Sequence, residues 1–69
     1  MPLIYAQTGS PVIIKKVGGN TETKKFLEKL GFVTGSTVTV VNEVQGNIIV
    51  NVKDSRVAVS KEVAGKIIV

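Results

Sequence analysis

The sequence predicts a mainly β fold: a small barrel of five to six short strands, with one inserted α-helix (about 21–30) and a short helical turn (about 61–64). Three observations predict it. Val and Ile make up 20 of the 69 residues, against three Leu and three Ala. Such β-branched side chains are stiff at χ1 and suit a pleated surface better than a helix. Turn signals at Thr8-Gly9-Ser10-Pro11, Gly18-Gly19-Asn20, Val33-Thr34-Gly35-Ser36 and Gln45-Gly46-Asn47 cut the apolar stretches short. From Thr37 to Val59 apolar residues recur with a period near two, which places alternate side chains on one face of a strand. A chain of this length is expected to be one domain, residues 1–69, with a core near the lower limit of what burial alone stabilises.

Each element has a local reason. Met1–Gln7, with Pro2, Leu3 and Tyr5, reads as a short first strand or an extended lead-in. Val12 to Val17 reads as a strand, with Val12, Ile14 and Lys16 on one face and Ile13, Lys15 and Val17 on the other. That imperfect alternation implies either two partly covered faces or a bulge. In the helix, Thr23, Phe26, Leu27 and Leu30 fall at i, i+3, i+4 and i+7 and form one apolar stripe. Asn20 or Thr21 can cap its start, Glu22 and Lys29 suit its dipole, and Gly31 fits a left-handed ending. The Phe32 ring can then fold back onto Phe26 or Leu27, and both Phe26 and Phe32 are assigned to the core.

Beyond the helix, a strand runs from Thr37 to about Val44, with Val41 a candidate bulge. A hairpin turn at Gln45-Gly46-Asn47 leads into a strand with Ile48, Val50 and Val52 inward. Asp54-Ser55 reads as the next tight turn, Arg56 to Val59 as a third meander strand, and Lys66 to Val69 as the last. Ser60 can cap the turn Lys61–Ala64, and Gly65 ends it. An SH3-like barrel with a helix inserted after the second strand fits this order best.

Composition excludes several chemistries. The chain has no His and no Cys, so disulfides, thiolate chemistry, His general-base catalysis and the usual zinc sites are out. Ser10, Ser36, Ser55 and Ser60 lack a His to activate them, and no carboxylate pair stands out for acid–base work. Glu22, Glu28, Glu43, Asp54 and Glu62 are scattered; only Glu22 and Glu28 share an element, six residues apart. No catalytic residue, metal ligand or cofactor is assigned, and the chain reads as a non-enzyme. Gly18-Gly19-Asn20 precedes a helix, where amides can take an anion, but a strand-to-helix turn that needs a flexible backbone explains it better.

The net charge is +4, within the range of roughly 2–8 that solubility alone favours. The longest cationic runs are the pairs Lys15-Lys16 and Lys24-Lys25. Of the three aromatics, Tyr5 alone is expected to be free, too few for a base-stacking platform. Nucleic acid is therefore disfavoured. No basic leader precedes an apolar run, and none reaches the ~18 residues of a membrane span, so a cytoplasmic location without membrane insertion is expected. Ile13, Val33, Ile49 and Ile68 fall opposite the expected core; either they form a patch for a partner or the helix covers them.

Leu3, Gly9, Val12, Ile14 and Val17 begin an ordered set of motifs that runs the whole chain and resembles the FeoA family; these five look like its opening. Phe26-Leu27-Glu28-Lys29-Leu30-Gly31-Phe32-Val33-Thr34-Gly35 looks like its "RL..LG..PG" signature, with Val38 and Val40 following in place. Gly46-Asn47-Ile48-Ile49-Val50 resembles its "GPI.V" hairpin. Arg56 to Ser60, Ala64, Ile67 and Val69 resemble its close. Thr34 and Asn47 stand where Pro is usual, Val59 replaces Leu, and Lys25-Phe26 replaces Arg-Leu; all are structural positions.

The resemblance implies an SH3-like barrel and a non-enzymatic, accessory role in bacterial ferrous-iron uptake. It also implies contact with the cytoplasmic, GTPase-bearing region of the FeoB membrane transporter. Family members are often labelled as binding transition-metal ions, a label the ligand inventory of this chain argues against. Nor does the SH3 likeness imply binding of PxxP peptides, which need an aromatic-lined groove. The contact surface is expected on the helix and its exit loop: Lys24, Lys25, Glu28, Lys29 and Val33. The alternative is a stand-alone barrel with a metal-sensing or nucleic-acid-binding role.

Overall fold

Helix α1 (Thr21–Leu30) begins and ends where its flanking residues dictate. The structure, a computed structural model, describes residues 1–69. Asn20 keeps an extended backbone, and its Oδ1 accepts the Thr23 amide at 2.8 Å, so Asn20 is the N-cap. Gly31 takes φ 105°. Its amide donates to the Glu28 carbonyl at 3.0 Å, and the Phe32 amide donates to the Leu27 carbonyl at 2.9 Å. These are the paired bonds of a Schellman ending. A side chain at Gly31 would also meet the Val52 and Lys53 side chains at 3.2 Å.

The reversal carries Phe32 into the core, where it and Leu27 are fully buried in one cluster. Phe26 is 56% exposed, which corrects its assignment to the core. Adjacent helix residues lie about 100° apart around the axis. With Leu27 aimed inward and Thr23 and Leu30 flanking it, Phe26 is left at the margin of the buried stripe.

Strand β1 (Pro11–Ile13) pairs antiparallel with β3 (Thr37–Val44), and β2 (Lys16–Val17) pairs antiparallel with β6 (Ile67–Ile68). The expected strand from Val12 to Val17 is therefore two, in different sheets, with buried Ile14 at the crossing. The lead-in is a 3-10 turn, Leu3–Tyr5, not a strand; Pro2 alone forms a bridge, to Ile68. Leu3 is buried from this turn, and the Met1 nitrogen and Val69 amide each donate to the other residue's carbonyl.

The meander follows its periodicity. β3, β4 (Asn47–Val52) and β5 (Ser55–Ser60) complete a four-stranded sheet of order β1-β3-β4-β5. Pairing jumps from Val40 opposite Val50 to Asn42 opposite Ile49, so Val41 is the bulge. Val38, Val40, Ile48, Val50, Val52 and Val59 all face the core. Gln45 and Gly46 both have positive φ, 45° and 83°, as a type I′ turn requires.

The second hairpin turns on Lys53 and Asp54, with φ 49° and 64°, one residue earlier than Asp54-Ser55. The pairing of Val52 with Ser55 sets this register, because Val50 and Val52 must both point inward. Ser60 Oγ accepts the Val63 amide at 3.2 Å and caps the short helix α2 (Lys61–Ala64). The fold is the SH3-like class with an inserted helix, built as a four-stranded sheet and a two-stranded ribbon that do not close into one hydrogen-bonded barrel.

Three variants test these placements by chemical denaturation. Phe32→Ala should cost about 3–5 kcal/mol, a large share of the roughly 3–10 kcal/mol a chain this size commands. Phe26→Ala should cost about 1 kcal/mol or less. Equal losses would contradict the different burial of the two rings. Asp54→Gly should stabilise by about 0.5–1 kcal/mol, because a left-handed residue with a Cβ is strained and Gly is not; a loss would contradict the assigned turn.

Candidate functional site

A cleft of about 250 Å³ opens between the crossing segment and α1. Lys15, Lys16 and Val17 form one wall, Lys24 and Glu28 of α1 form the other, and Phe32, Val33 and Thr34 of the exit loop complete it. The first wall is held by backbone on both sides of Lys15. The Ile14 amide donates to the Ser36 carbonyl at 2.9 Å and the Gly35 amide to the Ile14 carbonyl at 2.8 Å. Beyond them, the amides of Lys15 and Gly18 donate to the carbonyls of Ile68 and Lys66, each at 2.7 Å. The second wall follows from helix geometry, since positions 24 and 28 stand four apart on one flank while Leu27 anchors the core beside them.

The charges of this cleft are unbalanced. Three ammonium groups, Lys15, Lys16 and Lys24, face a single carboxylate, Glu28, and all four residues are exposed. The one ion pair between side chains lies elsewhere, Lys61 Nζ to Glu43 Oε1 at 2.5 Å. The cleft cations are therefore free to meet an external anion.

Of the expected contact residues, Lys24, Glu28 and Val33 line the cleft. Lys25 and Lys29 are exposed on α1 but lie outside the lining, and Val33 is half-buried. Lys15, Lys16, Val17, Phe32 and Thr34 were absent from the expected surface. The Lys15-Lys16 pair is visible in the sequence, but only the crossing of the sheets sets it opposite α1. Among Ile13, Val33, Ile49 and Ile68, only Ile13 is exposed, at 59%; the other three are half-buried. Tyr5 is exposed as expected, and Phe26 joins it. No three acidic side chains gather where they could hold a metal ion. No helix is long and apolar enough to cross a membrane.

The sequence model of the FeoA domain family matches residues 1–69. A protein of Methanocaldococcus jannaschii, provisionally named Fe(2+) transport protein A, is 32% identical over 68 residues, covering 99% of this chain and 83% of that protein. A crystal structure of an iron uptake regulatory protein, FeoA, superposes with a TM-score of 0.88 at 26% identity, over 97% of this chain and 91% of the other. The solution structure of FeoA from Chlorobium tepidum gives 0.90 at 21% identity, over 99% and 67%. A manganese-dependent transcriptional repressor gives 0.84 at 17% identity, over 97% of this chain and 39% of the repressor, a likeness of fold alone.

The charge imbalance makes a prediction of its own. Lys16→Gln removes one of three neighbouring like charges and breaks no ion pair, so stability should hold or rise by up to about 0.5 kcal/mol. Any gain should shrink as salt is raised. A loss above about 1 kcal/mol in denaturation would show that Lys16 is engaged within the fold.

Proposed function

The chain belongs to the FeoA family, and we propose that it is a non-enzymatic accessory protein of ferrous-iron uptake. On this reading it works in the cytoplasm by contact with the cytoplasmic, GTPase-bearing region of an FeoB-type membrane transporter. The observation that carries the reading is the match to the family over every residue, together with a relative named for Fe(2+) transport at 32% identity. The arrangement of the surface supports a binding role. Helix α1 commits Leu27 to the core and leaves Lys24, Lys25, Glu28 and Lys29 exposed beside the half-buried Val33. These five residues are the proposed transporter contact.

The test is an amide NMR titration of the chain with the soluble cytoplasmic region of its transporter, in the presence of guanine nucleotide and ferrous iron. Saturable shifts clustered on residues 24–33 are expected. Reversing Lys25 and Lys29 to Glu should weaken the binding about tenfold, since each exposed charge contact contributes up to about 1 kcal/mol. Absence of shifts overturns the partner. Shifts that ignore both reversals move the contact off the outer face of the helix.

A further inference from the structure

We propose that the cleft between residues 15–17 and α1 receives a short acidic peptide segment that carries an apolar side chain and is supplied by the protein partner. The inference rests on the accessory-protein reading above and names the chemistry of what the partner presents. Three features select that chemistry.

The first is charge. Lys15, Lys16 and Lys24 surround the cleft against Glu28 alone, and the one ion pair between side chains, Lys61 with Glu43, uses none of them. Ammonium groups in excess on both walls of one cleft favour an anionic partner and speed its encounter. The second is the apolar part of the lining. Val17 and Val33 line the same cleft above the fully buried Phe32; both valines are half-buried, so each keeps surface that a partner side chain can cover. The third is scale. At about 250 Å³ the cleft falls below the roughly 300–1,000 Å³ of sites that enclose small molecules, and its charged rim is exposed. A few residues of a larger chain fit such a shape better than an enclosed metabolite.

Other anions fit less well. Single-stranded nucleic acid binds through exposed aromatic platforms, but the aromatic side chain here, Phe32, is fully buried, and the exposed Phe26 and Tyr5 are not part of the lining. The only Arg, Arg56, is outside the cleft as well. A free phosphate is held by converging amides or a rigid guanidinium fork. Exposed lysines are flexible point charges, which suit several weak contacts spread along a peptide. Glu28 then supplies the one carboxylate of the lining and disfavours a uniformly anionic backbone.

The experiment is an amide NMR titration of the full chain with a blocked Asp-Glu-Leu-Asp-Glu pentapeptide. A Lys-Lys-Leu-Lys-Lys peptide, inorganic phosphate and oligothymidylate serve as separate arms. Saturable shifts on residues 15–17, 24, 28 and 32–34 are expected with the acidic peptide only. The affinity should fall with salt and fall about tenfold in Lys15→Glu/Lys16→Glu, through two lost exposed contacts. Lys24→Glu, on the opposite wall, is the second variant should the first fail to give a folded spectrum. Absence of shifts, shifts elsewhere, or an equal response to the basic peptide overturns the proposal. So does saturation of the same residues by phosphate, or tighter binding of oligothymidylate.

The transporter's cytoplasmic region separates this inference from the reading it rests on. If that region binds but ignores both the Lys15→Glu/Lys16→Glu change and competing acidic peptide, the cleft proposal falls and the transporter reading stands. If the acidic peptide fills the cleft and the region does not bind, the transporter reading falls alone.

Discussion

The backbone from Pro11 to Gly18 serves two sheets at once, and the remainder of the molecule depends on that double pairing. Its first half lies against β3, with Val12 opposite Val38; its second half lies against β6, with Val17 opposite Ile67. Between the halves, Ile14 exchanges hydrogen bonds with Ser36 and Gly35 and buries its side chain completely enough to leave 1% exposed. A two-stranded ribbon is marginal in water by itself. The β2–β6 ribbon persists because its first strand is a continuation of the larger sheet and because Ile67 and Val69 enter the common core. The same crossing turns Lys15, Lys16 and Val17 toward α1, so the constraint that stabilises the fold also builds one wall of the cleft.

Helix α1 is held by its ends and by one deep side chain. Asn20 and Gly31 satisfy its terminal backbone groups, and Leu27 is its only fully buried residue. The next residue after the helix reversal, Phe32, supplies the largest buried side chain of the core. Such anchoring leaves most of the helix surface uncommitted. A helix fixed in place yet exposed on most of its circumference can present charge without changing shape, as a preorganised binding surface requires. Here the stability of the Leu27–Phe32 anchor and the display of Lys24 and Glu28 are two consequences of one local sequence.

Much of this was legible from the residues. The helix boundaries followed from Asn20, the apolar spacing and Gly31; the bulge followed from Val41 breaking the alternation; the α2 cap followed from Ser60. Three features were hidden for physical reasons. The crossing at Ile14 shows only as the imperfect alternation of Val12 to Val17, which a bulge or two partly covered faces on a single strand would produce as well. The turn at Lys53-Asp54 was displaced by one residue because Lys is not a turn signal, and only the inward register of Val50 and Val52 forces it to positive φ. Phe26 reads as core by spacing, yet one apolar stripe on a thinly covered helix has room for Leu27 and not for both. The site was half legible on the same grounds. Lys24, Glu28 and Val33 are local to the helix and its exit, whereas Lys15 and Lys16 join them only through long-range pairing.

Amide hydrogen exchange, in the free chain and with the transporter's cytoplasmic region present, tests the central claim most directly. The amides of Ile14, Lys15 and Gly18 are expected in the slowest-exchanging class of the free chain, because the one segment that carries them ties the ribbon to the larger sheet. The partner is expected to add protection at residues 15–17 and 32–34. Fast exchange at Ile14, Lys15 and Gly18 in the free chain, or partner protection confined to β5 and the far side of the larger sheet, would contradict the claim.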